Sequence, residues 1–223
     1  MSAEFRRPWF LMGTLIKTLR FNFYYFPFKQ AIKLPVLISQ NVWLKRLRGA
    51  VEIHGPIKFG LVKIGFGDIA IFDNIQSRAI WSVQGKVIFA GRANIGHSVR
   101  FSVQQNGVLR CGTDLIINAE TAIVCRKAVT FGDSNLISWQ CMICDTDLHD
   151  IYFEGKLINA DRPVVFGDRV WLGMRVNVLK GTEIASGSVI GAGSRVSGTL
   201  RHEKSIYAGT PARLVKQNVE WVQ

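Results

Sequence analysis

Long apolar runs are missing from this sequence. None approaches the ~20 residues that a membrane-crossing helix needs, and the one at 9–16 is followed by Lys17 and Arg20 instead of a small-residue cleavage site. The chain therefore reads as carrying neither a membrane span nor a signal peptide. Cysteine is sparse. Cys111, Cys125, Cys141 and Cys144 fit a cytoplasmic protein, a compartment where disulfides are rare. Cys141 and Cys144 form a C-x-x-C without a second pair, so they read as structural thiols and not as a metal or redox site. The four histidines, His54, His97, His149 and His202, include no pair at close ligand spacing, and no metal is expected. His54, His97 and His202 fall in turns or corners and read as surface or capping residues.

Acidic residues are also few, 16 against 28 lysines and arginines, for a formal charge of +12. The imbalance is concentrated in residues 1–50, where Arg6, Arg7, Lys17, Arg20, Lys29, Lys33, Lys45, Arg46 and Arg48 stand against Glu4. That segment also holds ten of the 24 aromatic residues. No spacing of its basic and aromatic side chains suggests a base-reading module, so nucleic acid is not an expected partner.

What is present is a clock. Phe166, Leu172, Val178, Ile184, Ile190 and Val196 fall six residues apart. Gly167, Gly173 and Gly191 directly follow three of them, and Val170, Val176, Thr182, Ser188 and Ser194 occupy the small or β-branched slot four residues on. A helix needs a period near 3.6 and a simple strand a period of 2, so six excludes both. A hexapeptide period implies a parallel β-helix of short strands and corners, three units to a turn, with the aliphatic residues stacked inward and neighbouring turns about 4.8 Å apart.

The clock starts in degenerate form after Val51, at Ile53 and Phe59 and then Phe89, Ile95 and Phe101. It resumes at Cys111, Ile117 and Ile123, where Cys111 acts as a small hydrophobe. A two-residue insertion then shifts it to Phe131, Ile137 and Ile143. Six residues further stands His149, where an aliphatic residue is due. An imidazole among aliphatics lacks a partner, and the pattern is lost until 163. The chain is therefore expected to leave the coil at His149, form a loop over 150–163, and re-enter near Val165; long loops in compact domains tend to carry function. Residues 1–50 lack the period. Their apolar residues between Phe5 and Phe28 suit one or two short amphipathic helices ended by Pro27 and Pro35. Two roles are compatible with this: a cap over the open edge of the first coil, which is favoured, and a basic, aromatic surface against anionic lipid headgroups.

Ser138-Trp139, the Asp-x-Asp-x-His of Asp145, Asp147 and His149, and Trp171-Leu172-Gly173 together resemble the signature of hexapeptide-repeat acyltransferases, as do the closing segments 191–194 and 208–213. The resemblance covers roughly 51–216 and is nearest to the sugar O-acetyltransferases of capsule and O-antigen modification. It implies an all-β, left-handed parallel β-helix over 51–206, a short, partly helical N-terminal extension over 1–50 and a C-terminal tail over 207–223. It also implies a homotrimer that uses acetyl-CoA and no metal on a saccharide acceptor.

Carried onto matching positions, the resemblance makes His149 the general base that takes a proton from an acceptor hydroxyl. An imidazole with an ordinary pKa of about 6.5 suits that task independently. Asp145 or Asp147 would orient the ring or hold the sugar, and Asn118 and Trp139 would contact the acceptor. Coenzyme A would lie along Ser138, Trp171, Met174, Ala192, Ser197 and Gly198, with Arg213 and Lys216 on its anionic nucleotide end. Ser197-Gly198 departs from the Thr-Lys often found there, which leaves one phosphate contact without its lysine and Arg195 or Arg201 as the candidates to replace it. The expected activity is O-acetylation of a cell-surface polysaccharide or its precursor, in the cytoplasm and peripherally at the inner face of the membrane. The alternatives are N-acylation of an amino sugar or nucleotide sugar and a non-catalytic scaffold.

Overall fold

The computed structural model describes residues 8–73 and 76–222; Glu4, Phe5, Arg6 and Arg7 lie outside the described residues. Inward side chains six residues apart can share one interior only if the chain turns after each short strand. The backbone does this, visiting a first, second and third face and then the first again, with parallel strands on every face. On the first face Ile117 aligns with Ile137, Leu172 and Ile190. On the second Ile123 aligns with Ile143, Val178 and Val196, and on the third Phe131 aligns with Phe166 and Ile184. All are buried, and Phe131 and Phe166 stack with ring centroids 4.6 Å apart. Cys111 and Cys125 fill two more inward slots.

The corners obey their own rule. Val170, Val176, Thr182, Ser188 and Ser194 are buried at the bends, as small side chains must be there. At the corner between the first and second faces, successive turns place Glu120, Gln140 and Arg175 in the left-handed backbone region, at φ 58°, 59° and 58°. That region disfavours ordinary residues by roughly 1–2 kcal/mol each. Hydrogen bonds along the corner offset part of this, Gln140 Nε2 to Glu120 at 2.9 Å and Arg175 Nε to Gln140 at 2.8 Å.

Three expectations need correction. The coil begins before residue 51: Val36–Ile38 and Val42–Leu47 already pair with the next turn. The six-residue step is present there, from Val36 to Val42 and from Ile38 to Leu44, but it stops after one interval, at Arg48 and Ala50, and so does not stand out as a repeat. Phe59 lies outside the core, 70% exposed in the link before Val62–Phe66, whose Val62 and Ile64 point inward instead. The segment after 206 is more than a tail. Ile206–Gly209 is the last parallel strand of the first face, and Ala212–Lys216 folds back antiparallel on it. The expected excursion is present and carries a small hairpin, Tyr152–Phe153 with Lys156–Leu157, before Val164–Phe166 rejoins the third face.

Among the described residues the first coil has no turn beyond it, and helix α1 (Pro8–Tyr25) supplies what is missing. Thr14, Thr18 and Asn22, spaced four apart on one side of the helix, accept the backbone N–H groups of Gln40, Ile38 and Val36 at 3.1, 2.9 and 3.2 Å. Asn22 Nδ2 also donates to the Val36 carbonyl at 2.7 Å. Phe21, fully buried, meets Trp81 edge-on at 5.1 Å and closes the interior. The cap is therefore a row of side chains standing in for a β-strand. The short helix α2 (Phe28–Ala31) comes next and buries Ala31.

Asn22→Ala leaves a buried N–H and C=O of Val36 unpaired and should cost about 2–3 kcal/mol, read as a lower urea midpoint at unchanged slope. A loss below about 0.5 kcal/mol would mean that the edge is satisfied in another way. The core thiols give a second test. Burial raises the pKa of Cys111, pushes Cys125 up to about 12 and Cys141 up to about 11. A thiol reagent at about pH 8 should leave these three unmodified in the folded protein and label all four cysteines in denaturant.

Candidate active site

At the corner between the second and third faces the chain leaves the coil, and Asp145 controls the exit. Its carboxylate accepts the backbone N–H groups of Arg126 and Lys127 at 2.8 and 2.7 Å, which belong to the turn below. Its carbonyl accepts Arg162 N–H at 3.1 Å, so the departing and returning strands are tied at one residue. Asp145 is fully buried. The expectation that it meets a sugar or the histidine ring is corrected: both its oxygens are committed to the corner.

Beyond it the loop is knotted by Asp147, Asn159 and Lys180. Asn159 Nδ2 donates to Asp147 at 2.9 Å and to the His149 carbonyl at 2.8 Å, while Asn159 Oδ1 accepts Ile151 N–H at 2.6 Å. The Lys180 ammonium donates to Asp147 and to the Asn159 carbonyl. Lys180, and then Asn159, hold the Asp147 carboxyl below the usual carboxylate range, so it stays ionised. His149 is exposed at the base of the hairpin. Neither Asp145 nor Asp147 hydrogen-bonds its ring; the loop fixes its backbone and leaves the imidazole open. Asn159 and Lys180 are loop-anchoring positions that the six-residue period does not single out. Lys180 had a signal: it precedes Gly181-Thr182 on the same corner, one turn beyond the exit.

A second cluster lies on the corner between the first and second faces. Backbone bonds from Asn118 N to Ile137 O, Ser138 N to Leu172 O and Gly173 N to Ile190 O put Asn118, Ser138, Gly173 and Gly191 on successive rungs. Trp139, Met174 and Ala192 come one residue after them. Turns approach closely here: a Cβ on Gly173 would lie 2.7 Å from the Ala192 nitrogen. Ser138 Oγ accepts Trp171 Nε1 at 3.2 Å, and Trp171 leans on Trp221 at 5.9 Å between centroids. Met174 and Ala192 are exposed. Arg213 and Lys216 are exposed on the terminal antiparallel strand, which pairs Arg213 with Ala208 on the rung after Gly191. Ser197 and Gly198 are elsewhere, on the His149 corner two turns further along.

The expected site is thus divided. Asn118, Ser138, Trp139, Met174 and Ala192 share one corner; Asp147, His149, Ser197 and Gly198 share the next. The second face of the coil, built there from Ala122–Cys125 and Met142–Cys144, separates them within the chain.

His97 is also corrected. It is 2% exposed, not a surface residue, and its Nε2 has no hydrogen-bond partner among the described residues. It stands one rung before Asn118-Ala119, as Glu120 N to His97 O shows. The ring of Phe72 covers it at 6.2 Å and reaches Trp139 at 6.5 Å. Burial lowers its pKa. The cover comes from a link outside the repeat, to which the period gives no clue. His54 and His202 are exposed, as expected.

A three-sided parallel β-helix with a six-residue period is what a hexapeptide repeat produces. The family model described as bacterial transferase hexapeptide (six repeats) matches residues 163–198. A putative lipopolysaccharide biosynthesis O-acetyl transferase of Escherichia coli K12 is 30% identical over 60% of this chain and 72% of its own length. A probable acetyltransferase of Mycobacterium tuberculosis is 35% identical over 52% of this chain, which spans only 39% of that relative. An uncharacterised protein of the Klebsiella pneumoniae cps region is 24% identical over 95% of this chain and 89% of its own. Among solved structures, a galactoside acetyltransferase in complex with coenzyme A is 28% identical over 54% of this chain and 59% of its own, at a TM-score of 0.47. The chain belongs to the hexapeptide-repeat acyltransferases, and its coil is a left-handed parallel β-helix.

Asp145→Ala should untie the excursion. Limited proteolysis at 150–158 is expected to accelerate at least about tenfold while the rest of the coil stays resistant; equal cleavage rates would show that Asp145 does not hold the exit.

Proposed function

We propose that this protein is an acetyl-CoA-dependent O-acetyltransferase acting on a sugar hydroxyl of a cell-surface polysaccharide or its precursor, with His149 as general base. One observation carries this reading: in a hexapeptide-repeat acyltransferase the coil opens at an imidazole whose backbone is tied and whose ring is free. The names of relatives support the substrate class. One is a putative lipopolysaccharide biosynthesis O-acetyl transferase, and another, 32% identical over 47% of this chain, is a polysialic acid O-acetyltransferase of Neisseria meningitidis.

A sugar hydroxyl is a poor nucleophile at neutral pH, so its proton must leave as its oxygen attacks. His149 accepts that proton while the oxygen bonds to the thioester carbonyl carbon. The C–S bond then breaks, and the imidazolium returns the proton to the departing sulfur, giving an acetyl ester and free thiol. General-base help of this kind is worth roughly 10²–10⁴ in rate. Asp147, ionised and paired with Lys180, holds the loop instead of the ring. Asn118 and Trp139 would contact the acceptor. Ser138, Trp171, Met174, Ala192, Ser197 and Gly198 would line the pantetheine arm, and Arg213 and Lys216 would meet the nucleotide phosphates.

Because the two clusters occupy different corners, the site needs a second copy of the chain. The reading includes a homotrimer in which the His149 corner of one subunit meets the Asn118 corner of the next. Exposed apolar side chains around His149, namely Leu148, Ile151, Tyr152, Phe153, Leu157 and Ile158, suit burial at such a contact. The reaction is placed in the cytoplasm, peripherally at the inner face of a membrane.

Acceptor-dependent thiol release from acetyl-CoA should fall by about 10²–10⁴ in His149→Ala, with an alkali-labile ester as product; an amide would mean N-acylation. Co-expressing His149→Ala with Asn118→Ala, each deficient alone, should restore about a quarter of the sites by random assembly. No recovery would overturn the shared site, and unchanged activity in His149→Ala would overturn the base.

A further inference from the structure

Helix α1 is amphipathic in the reverse sense. Its polar residues Thr14, Thr18 and Asn22 face the coil and pair its edge, and the Lys17 ammonium is bonded to the carbonyls of Gln40 and Val42. Its outer side is apolar. Trp9, Met12, Ile16, Leu19 and Phe23 recur at alternating spacings of three and four, which aligns them along one stripe, and they are between 39% and 76% exposed. The stripe continues onto α2 through Phe28, 70% exposed and 6.0 Å from Phe23 between ring centroids. Phe10 and Phe21 are the apolar residues that α1 buries beside these polar ones; the stripe is left outside, and an exposed apolar face of this extent marks a contact surface.

Charge identifies the surface. Arg20, Lys45, Arg46 and Arg48 line a hollow of about 680 Å³ beside α1, together with Tyr24. Lys17 and Arg78 line another of about 610 Å³. Among the described residues no carboxylate lines either hollow, and the sequence has no Asp or Glu from Phe5 to Val51. A second copy laid stripe to stripe would bring these cations against one another with no local carboxylate to offset them. Lipid phosphates are the complementary charge. With 18 residues and two interior cations, α1 suits lying in the interface, and no helix among the described residues is long and apolar enough to cross a membrane.

We propose that α1 docks this protein on an anionic phospholipid bilayer. The helix lies flat, with the Trp9–Phe23 stripe sunk at the boundary of headgroups and acyl chains and the Arg20, Lys45, Arg46 and Arg48 hollow on lipid phosphates. Trp9 and Tyr24 sit at the depth that amphipathic aromatic rings prefer. The inference deepens the peripheral location in the reading above; it does not depend on acyl transfer, because α1 and the His149 loop share no contact among those described.

The test is flotation of the full chain with phosphatidylcholine vesicles, with and without about 30 mol% phosphatidylserine, at about 0.15 M salt. Binding should be at least about tenfold stronger to the anionic vesicles and should weaken as salt rises. Vesicles with brominated acyl chains should quench tryptophan fluorescence in the wild type and much less in Trp9→Phe. The double variant Ile16→Glu/Leu19→Glu, at exposed positions, should lose at least about tenfold in binding with an unchanged circular dichroism spectrum. His149→Ala should bind as the wild type does, which separates this result from any failure of the enzymatic reading. Equal binding to neutral and anionic vesicles, absence of Trp9 quenching, or wild-type binding by the double variant would each overturn the proposal. So would concentration-dependent self-association that the double variant abolishes, which would give the stripe to a second copy.

Discussion

The structure depends on each turn of the coil having the same perimeter as its neighbours. Only then do the N–H and C=O groups of one strand meet those of the next, and only then does Ile117 fall on Ile137 and Leu172 on Ile190. The ladder and the aliphatic stack are one constraint seen from two sides, since a slip of one residue would turn every inward side chain outward. Extra residues are therefore tolerated only where they leave the perimeter alone. The hairpin excursion, the two residues added after Cys125 and the link that carries Phe72 over His97 all sit between strands, at or near corners.

A coil built in this way has two ends that cannot satisfy themselves. At the far end the chain folds back through Ala212–Lys216, and Trp221 Nε1 anchors the segment beyond that strand to the Arg169 carbonyl at 2.8 Å. At the near end Thr14, Thr18 and Asn22 take over hydrogen bonds that a preceding turn would have made. This commits Thr14, Thr18 and Asn22, with buried Phe10 and Phe21, to the protein and leaves the Trp9–Phe23 stripe outward. Capping and exposure of the helix are thus two consequences of one arrangement. The corners behave similarly. Because each is a column of equivalent positions along the axis, Asn118, Ser138, Gly173 and Gly191 form a track without any of them being near another in sequence.

Much of this was legible in the residues. The spacing of six set the inward residues from Phe166 to Val196, and the break at His149 located the excursion, because an imidazole cannot replace an aliphatic residue in a sealed stack. What the period could not show is where a side chain goes once the backbone departs from it. Asp145 and Asp147 look equivalent in sequence, yet one is buried against the Arg126 and Lys127 amides and the other is held outside by Lys180 and Asn159. His97 looks like a corner residue and is roofed by Phe72. The first coil reads as an extension because its six-residue steps end after one interval, at Arg48 and Ala50.

By itself, then, the sequence determined the repeat, the inward residues of its regular half, the residue at which it opens and the excess of positive charge near its start. These are local or strictly periodic properties, written in residue type and spacing. Only the tertiary structure decided which corner each candidate occupies, that the Asn118 and His149 clusters are kept apart by a face of the coil, and which side of α1 is covered. Those outcomes depend on how many residues each turn uses before its perimeter closes and on contacts between segments far apart along the chain.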